Sequence, residues 1–219
     1  MRYSSVARPL NNNMKYTSFL FLLSFFLFTS CEKSSNNDII IDEDVITFVE
    51  LNASQYGINQ TDTLLTIGKY QKFSFSEGDT VSHDNWDVAF SGTTIIVNGG
   101  ESFSDNQPNR SGDAAVYIAT GIMSDIKTVD VTKLIQDSFN SPAITNDYGF
   151  TGIGWCTYSG LPDHIISPIP GKILVFRTHD NKYAKVEILS FYDNPITSEY
   201  GGFYTFNYVY QSEEGNTMF

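Results

Sequence analysis

From Val45 onward the chain is written in short runs of β-branched and aromatic residues broken by Gly, Asn, Asp and Ser, a punctuation that leaves little room for helix. Val45–Leu51, Tyr70–Ser76, Trp86–Phe90 and Thr93–Asn98 read as strands, and Ala114–Ala119 as another. In Lys72-Phe73-Ser74-Phe75-Ser76 polar and apolar residues alternate, which predicts one buried and one wet face. Asn98-Gly99-Gly100 marks a turn, and Glu101–Gly112 a polar loop. Three more strands, Lys172–Arg177, Lys182–Tyr192 and Phe203–Gln211, close the chain. His179-Asp180-Asn181 joins the first two as a hairpin. Only Val129–Phe139 invites a short helix, because Val131, Leu134 and Ile135 fall near a common face. Between Asn140 and Gly171, Pro142, Pro162, Pro168 and Pro170 rule out long regular elements. The expected fold is all-β: one antiparallel β-rich domain with long loops and at most one short helix.

The N-terminal part has a different logic. Ser18–Ser30 is an uninterrupted apolar run, preceded by Lys15 and ending on Cys31. It is shorter than the roughly 20 apolar residues that a membrane-spanning helix needs, and it has the layout of a secretory signal. Thr29-Ser30-Cys31 is similar to a bacterial lipobox, with Phe28 where such motifs usually carry Leu. The expectation is a signal peptide over residues 1–30, cleaved before a lipidated Cys31. The alternative is an ordinary signal with a chance cysteine. Met14-Lys15 makes a more usual start than Met1. Residues 31–44 then form an acidic tether, and 45–219 the β domain.

Charge and cysteine usage narrow the function classes. The whole chain carries a net charge of −12, and the leader holds Arg2, Arg8 and Lys15 with no acid, so the remainder is near −15. Nucleic-acid binding requires a basic face and is disfavoured, as is lying flat on an anionic membrane. Membrane attachment is expected through the lipid alone. With Cys31 lipidated, Cys156 has no partner for a disulfide, and its apolar, aromatic neighbours describe a buried inert thiol.

No phosphate loop, His-Glu-x-x-His or nucleophile elbow is present, and no enzyme is expected. His179-Asp180 and His164-Asp163 lack an accompanying nucleophile motif. His83 and His179 read as solvated turn residues. His164 lies in Leu161-Pro162-Asp163-His164-Ile165-Ile166, near Trp155 and Tyr158. Imidazole is a common axial ligand for iron, and an aromatic pocket suits a flat porphyrin. A loop histidine held by Asp163 or by backbone carbonyls is the alternative.

Two groups of segments together resemble the HmuY family, haem-binding lipoproteins of the Bacteroidetes outer-membrane surface. The first is Phe73-Ser-Phe-Ser-Glu-Gly78, Trp86-Asp-Val-Ala-Phe90 and Thr94-Ile-Ile-Val-Asn-Gly-Gly100. The second is Lys172-Ile-Leu-Val-Phe-Arg177, Thr178-His-Asp-Asn181, Lys182-Tyr-Ala-Lys-Val-Glu-Ile188 and Phe203-Tyr-Thr-Phe-Asn-Tyr-Val-Tyr210. The resemblance implies an all-β fold whose loops grip haem, a TonB-dependent outer-membrane receptor as partner, and exposure at the cell surface.

The ligand pair departs from the family's pattern. Well-known members place one histidine before a Gly-Trp pair and another about five residues after that tryptophan. Here the pair is Gly154-Trp155 and the later position is Gly160, while Val129–Trp155 holds neither histidine nor methionine. His164 is the candidate axial ligand through a loop shift, with Tyr158 and Met123 as weaker candidates. The other expectation is a protein of this fold that has lost haem ligation and binds another ligand or a protein partner.

Overall fold

The computed structural model describes residues 44–58, 64–66, 68–145, 148–149, 152–194 and 201–219. The expected signal segment, Cys31 and nearly all of the tether lie outside the described residues. Those described fall within one unit, Ile41–Phe219. Among the described residues thirteen strands follow in order: β1 (Ile46–Asn52), β2 (Tyr56–Ile58), β3 (Leu64–Thr66), β4 (Gln71–Ser74), β5 (Asp79–Val81), β6 (Val88–Ser91) and β7 (Thr94–Val97), then β8 (Ala115–Thr120), β9 (Cys156–Tyr158), β10 (Ile166–Pro168), β11 (Lys172–Arg177), β12 (Tyr183–Ser190) and β13 (Phe203–Gln211). Among the described residues no helix is long and apolar enough to cross a membrane.

Two antiparallel sheets carry the domain, one ordered β1-β13-β12-β11-β8 and one ordered β5-β4-β6-β7. β2/β3 and β9/β10 form separate two-stranded ribbons. The β11–β12 hairpin runs in register from Arg177↔Tyr183 to Ile173↔Glu187, as its turn residues predict. β13 pairs β12 along its length and β1 on its other side, where Ile46 meets Tyr208 and Asn52 meets Phe203.

Alternation along the strands divides the apolar residues between inner and outer layers. Leu174 and Phe176 of β11 face a shared core with Val88, Phe90, Ile95 and Val97 from the second sheet, and with Tyr204, Phe206 and Tyr208 of β13. Their neighbours Ile173 and Val175 turn the other way, onto Met123, Val129, Tyr183 and Val209. Ala89 and Ile96 likewise face outward beneath Trp86, Tyr70 and Phe103. The central strands are thus covered on both sides, and each fully buried large side chain contributes about 1.5–3 kcal/mol. Rings interlock in the shared core: Phe73 meets Phe206 edge-on at 5.4 Å and Phe90 meets Tyr204 at 4.7 Å.

The structure corrects three expectations. The wet face proposed for Lys72–Ser76 is interrupted at Ser74, which is fully buried with its hydroxyl 3.0 Å from that of Ser76. The short helix over Val129–Phe139 shrinks to a 3₁₀ turn at Val131–Lys133. There the Asp130 carboxylate accepts from the backbone and hydroxyl of Thr132, and Ile135 exchanges backbone hydrogen bonds with Val116. An edge-strand partner for β8 offers Ile135 more than a helical turn would. His179 is the third correction. It is not solvated: its Nδ1 lies 2.7 Å from the buried Asp87 carboxylate, and its side chain is only 17% exposed. His83, in contrast, is exposed and faces Glu77 at 2.9 Å.

Polar groups lock one end of the sandwich. Asp87 Oδ1 accepts from both the backbone N–H and the ring of His179, and Oδ2 accepts from the Phe75 N–H, which ties the β11–β12 turn to the second sheet. Asn98 accepts from Ser111 and Gly112 and donates to the Asp84 and Trp86 carbonyls. Buried Arg110 donates to Val97 O and to Asp137, pinning the 101–112 loop.

Candidate ligand-binding loops

The opposite end is assembled from turns that hold one another by backbone hydrogen bonds. The β6–β7 turn at Gly92 donates to Ala53 O, while Ala53 N–H donates to Gly202 O and Gly202 N–H to Phe191 O. Gly92 has φ 53°, and a Cβ there would stand 2.9 Å from the Gln55 side chain, so the turn demands glycine. The Tyr204 hydroxyl donates to Gly92 O at 2.7 Å, and the same turn accepts the indole N–H of Trp155 at Thr93 O. Trp155 is almost wholly buried between Phe191 and Tyr204. It anchors the start of the β9–β10 ribbon to the core.

From that anchor the chain climbs through Cys156, buried in the shared core, to Tyr158 and then to the loop 159–165. Tyr158 pairs with Ile166 across the ribbon and donates its backbone N–H to Tyr148 O at 3.2 Å. The loop closes on itself. Ser159 N–H donates to Ile165 O at 2.8 Å, Ile165 N–H to the Ser159 hydroxyl at 2.9 Å, and His164 N–H to Gly160 O at 2.9 Å. His164 sits at φ 53°, a left-handed conformation uncommon for a residue with a Cβ.

This closure brings the Tyr158 hydroxyl into hydrogen-bonding contact with His164 Nδ1. The two rings are 5.7 Å apart and tilted by 31°, and Tyr148 packs edge-on against Tyr158 at 6.1 Å. Apolar side chains of the same loop are open to solvent: Leu161 is 83% exposed and Ile165 46%. The His164 ring meets the Tyr158 hydroxyl while its backbone N–H donates to Gly160 O, and no hydrogen bond to Asp163 is formed. A phenol, an imidazole and an exposed apolar surround are together suited to a flat, partly apolar ligand carrying a metal that accepts oxygen or nitrogen.

The remaining candidates fall elsewhere. Met123 is buried in the outer cluster with Ile173 and Val175, where its carbonyl accepts from Lys185, and the structure does not bring it to the Tyr158–His164 pair. Gly160 lies in the loop at φ 75°, with open space where a Cβ would point. Asp87, His179 and Asp180 place ligand atoms within 4.8 Å of one another. Those carboxylates already accept from Phe75, His179, Thr178 and Lys182. Burial opposes ionisation of Asp180, yet the Lys182 and Thr178 hydrogen bonds hold it below its ordinary value. The hydrogen bond to Asp87 is the main reason that His179 titrates above its ordinary range, with burial opposing it. This cluster is a structural latch.

A search of curated proteins gives no match. Among solved structures, a Bacteroides vulgatus ATCC 8482 protein assigned as HmuY-like and heme-binding shares 14% identity, covering 77% of this chain and 92% of its own, with a TM-score of 0.43. The apo HmuY analogue of Tannerella forsythia shares 11% over 78% and 96%, at a TM-score of 0.42. A protein of Bacteroides fragilis NCTC 9343 assigned as a lipoprotein shares 19% over 77% and 89%, at a TM-score of 0.33. A family model described as HmuY protein matches residues 67–208, from just after β3 into β13, and the chain belongs to the HmuY family.

Proposed function

We propose that this protein is a lipid-anchored, surface-exposed lipoprotein of the outer membrane that binds haem at the Tyr158–His164 loop and supplies it to a TonB-dependent receptor. Family membership supports haem as the ligand class, and the observation that carries the site is the Tyr158–His164 contact among exposed Tyr148, Leu161 and Ile165. Of the chain's three histidines, His83 and His179 belong to the latch end, so His164 is the only imidazole at the loop end. The leader, lipobox and acidic tether support anchoring. Titration of the domain with haem tests the binding: a shifted, sharpened Soret band that weakens in His164→Ala is expected, and a response no larger than that of a control acidic protein refutes it. Cys31→Ser moving the protein from the membrane to the soluble fraction tests the anchor.

One observation favours a second reading. Gly160 stands where the resemblance places the second iron-ligating histidine, so a loop that has dropped haem and docks another ligand or an outer-membrane protein through its apolar rim is the competing function. Co-purification of a receptor from cells grown without haem supports that reading, and a haem requirement for the complex counts against it.

A further inference from the structure

We infer that Tyr158 supplies the iron-binding atom and His164 the base that takes its proton, so that the loop selects ferric over ferrous haem. The inference rests on the haem-binding reading above and deepens it. Three observations assign the roles. First, Tyr158 is the better-fixed donor: it belongs to β9, is paired with Ile166 and Tyr148, and keeps 39% of its surface open. Donors on a paired strand are positioned more tightly than donors on a loop. Second, three hydrogen bonds within 159–165 and the left-handed backbone of His164 aim Nδ1 at the Tyr158 hydroxyl. Such a backbone conformation persists where the surrounding contacts over-determine it, as the loop hydrogen bonds do here. Third, Tyr148 packs against the Tyr158 ring at 6.1 Å, a second aromatic contact that restrains the phenol.

The chemistry balances within the pair. With iron bound, the phenol O–H bond would break, its proton would bond to His164 Nδ1 across their hydrogen bond, and the electron pair left on the oxygen would be the donor pair. The pair would then carry no net charge of its own, as imidazolium beside phenolate. An anionic oxygen is a hard ligand and gains more from a trivalent than from a divalent iron. A neutral imidazole ligand would show little of that bias. His164 thus acts as a positioning and proton-accepting residue, and the loop takes up oxidised haem and holds reduced haem weakly.

The test uses the wild-type domain, Tyr158→Phe and His164→Ala, each titrated with ferric haem and, under anaerobic conditions, with dithionite-reduced haem. Circular dichroism confirms that each variant is folded. Wild type is expected to show a phenolate-to-iron charge-transfer band, by visible absorption and resonance Raman, that Tyr158→Phe lacks. His164→Ala is expected to keep the band with affinity lowered by about tenfold, the scale of removing a partner that orients a ligand. Reduced haem is expected to bind wild type at least about tenfold more weakly than ferric haem. A ferric spectrum that survives in Tyr158→Phe and disappears in His164→Ala means imidazole ligation: it overturns this inference and leaves haem binding standing. Equal affinities for the two oxidation states overturn it as well. A wild-type domain that perturbs neither form of haem rejects the haem-binding reading and this inference together.

Discussion

Replacing Asp87 with Asn should unfasten the latch end without disturbing the loop end. The carboxylate is 1% exposed and serves three donors, at 2.9 Å and 2.7 Å from His179 and at 2.8 Å from the Phe75 N–H. An amide in the same place offers oxygen to one side only, and its NH2 group faces a donor on the other. Leaving a buried N–H unpaired costs about 1–3 kcal/mol, and trading a charge-assisted bond to His179 for a neutral one adds about 1 kcal/mol. The expected loss is about 2–4 kcal/mol, which for a domain of this size lowers Tm by roughly 5–15 °C. The pH dependence gives the sharper check. The Asp87 hydrogen bond raises the His179 pKa above its ordinary value, so the fold favours the protonated ring. That stabilisation is fully present below about pH 6.5 and is lost as pH rises through the folded-state value. The Tm gap between wild type and Asp87→Asn should therefore be widest near pH 6 and narrow toward pH 9, as followed by circular dichroism at constant ionic strength. A gap below about 2 °C near pH 6, or one that widens with pH, would refute the reasoning.

Other substitutions probe the remaining anchors. Arg110→Met leaves Asp137 buried without its cation; burial already pushes that carboxyl above its ordinary value against hydrogen bonds from Ala143, Val97 and Arg110. The expected cost is about 3–5 kcal/mol in urea denaturation, and a loss under about 1 kcal/mol contradicts it. Lys185→Met removes an ammonium that donates to the Met123 and Ile126 carbonyls at 2.9 Å each. It should cost about 1–3 kcal/mol and raise hydrogen exchange across 122–135, and uniform exchange changes across the domain would disagree. Gly160→His places an imidazole in open space at a left-handed position, with a strain cost of about 1–2 kcal/mol. It should tighten haem binding and sharpen the Soret band; no spectral change would argue that the ligand sits elsewhere.

Strand positions were legible because alternation and turn residues are local signals. Lys172–Arg177, Phe203–Gln211 and the His179-Asp180-Asn181 turn fall where composition places them. The double-sided burial at Ser74 was not legible, because what covers its outer face is determined by distant chain. The same distance hid the latch: Asp87 and His179 are 92 residues apart, so each reads in isolation as a polar residue beside a turn. Prolines concealed the β9–β10 ribbon, since Pro168 is compatible with the end of a short edge strand and does not abolish it. In the candidate site, Tyr158 and His164 were each visible as aromatic loop residues. Their mutual contact was not, because it depends on loop closure through the Ser159 hydroxyl and through backbone groups of Ser159 and Gly160 that carry no sequence signature of their own.

The register of β1 has an orientational consequence. Ile46 stands beside Tyr208, toward the latch, and the strand runs upward to Asn52 beside Phe203, at the same end as Gly92 and Gly202. The polypeptide thus joins the domain from the side away from Tyr158. A label or surface attachment placed at Asp44 therefore sits at the latch end and is expected to leave the Tyr158–His164 loop unobstructed. Immobilising the domain from that end thus becomes a way to measure ligand binding at the loops without blocking them.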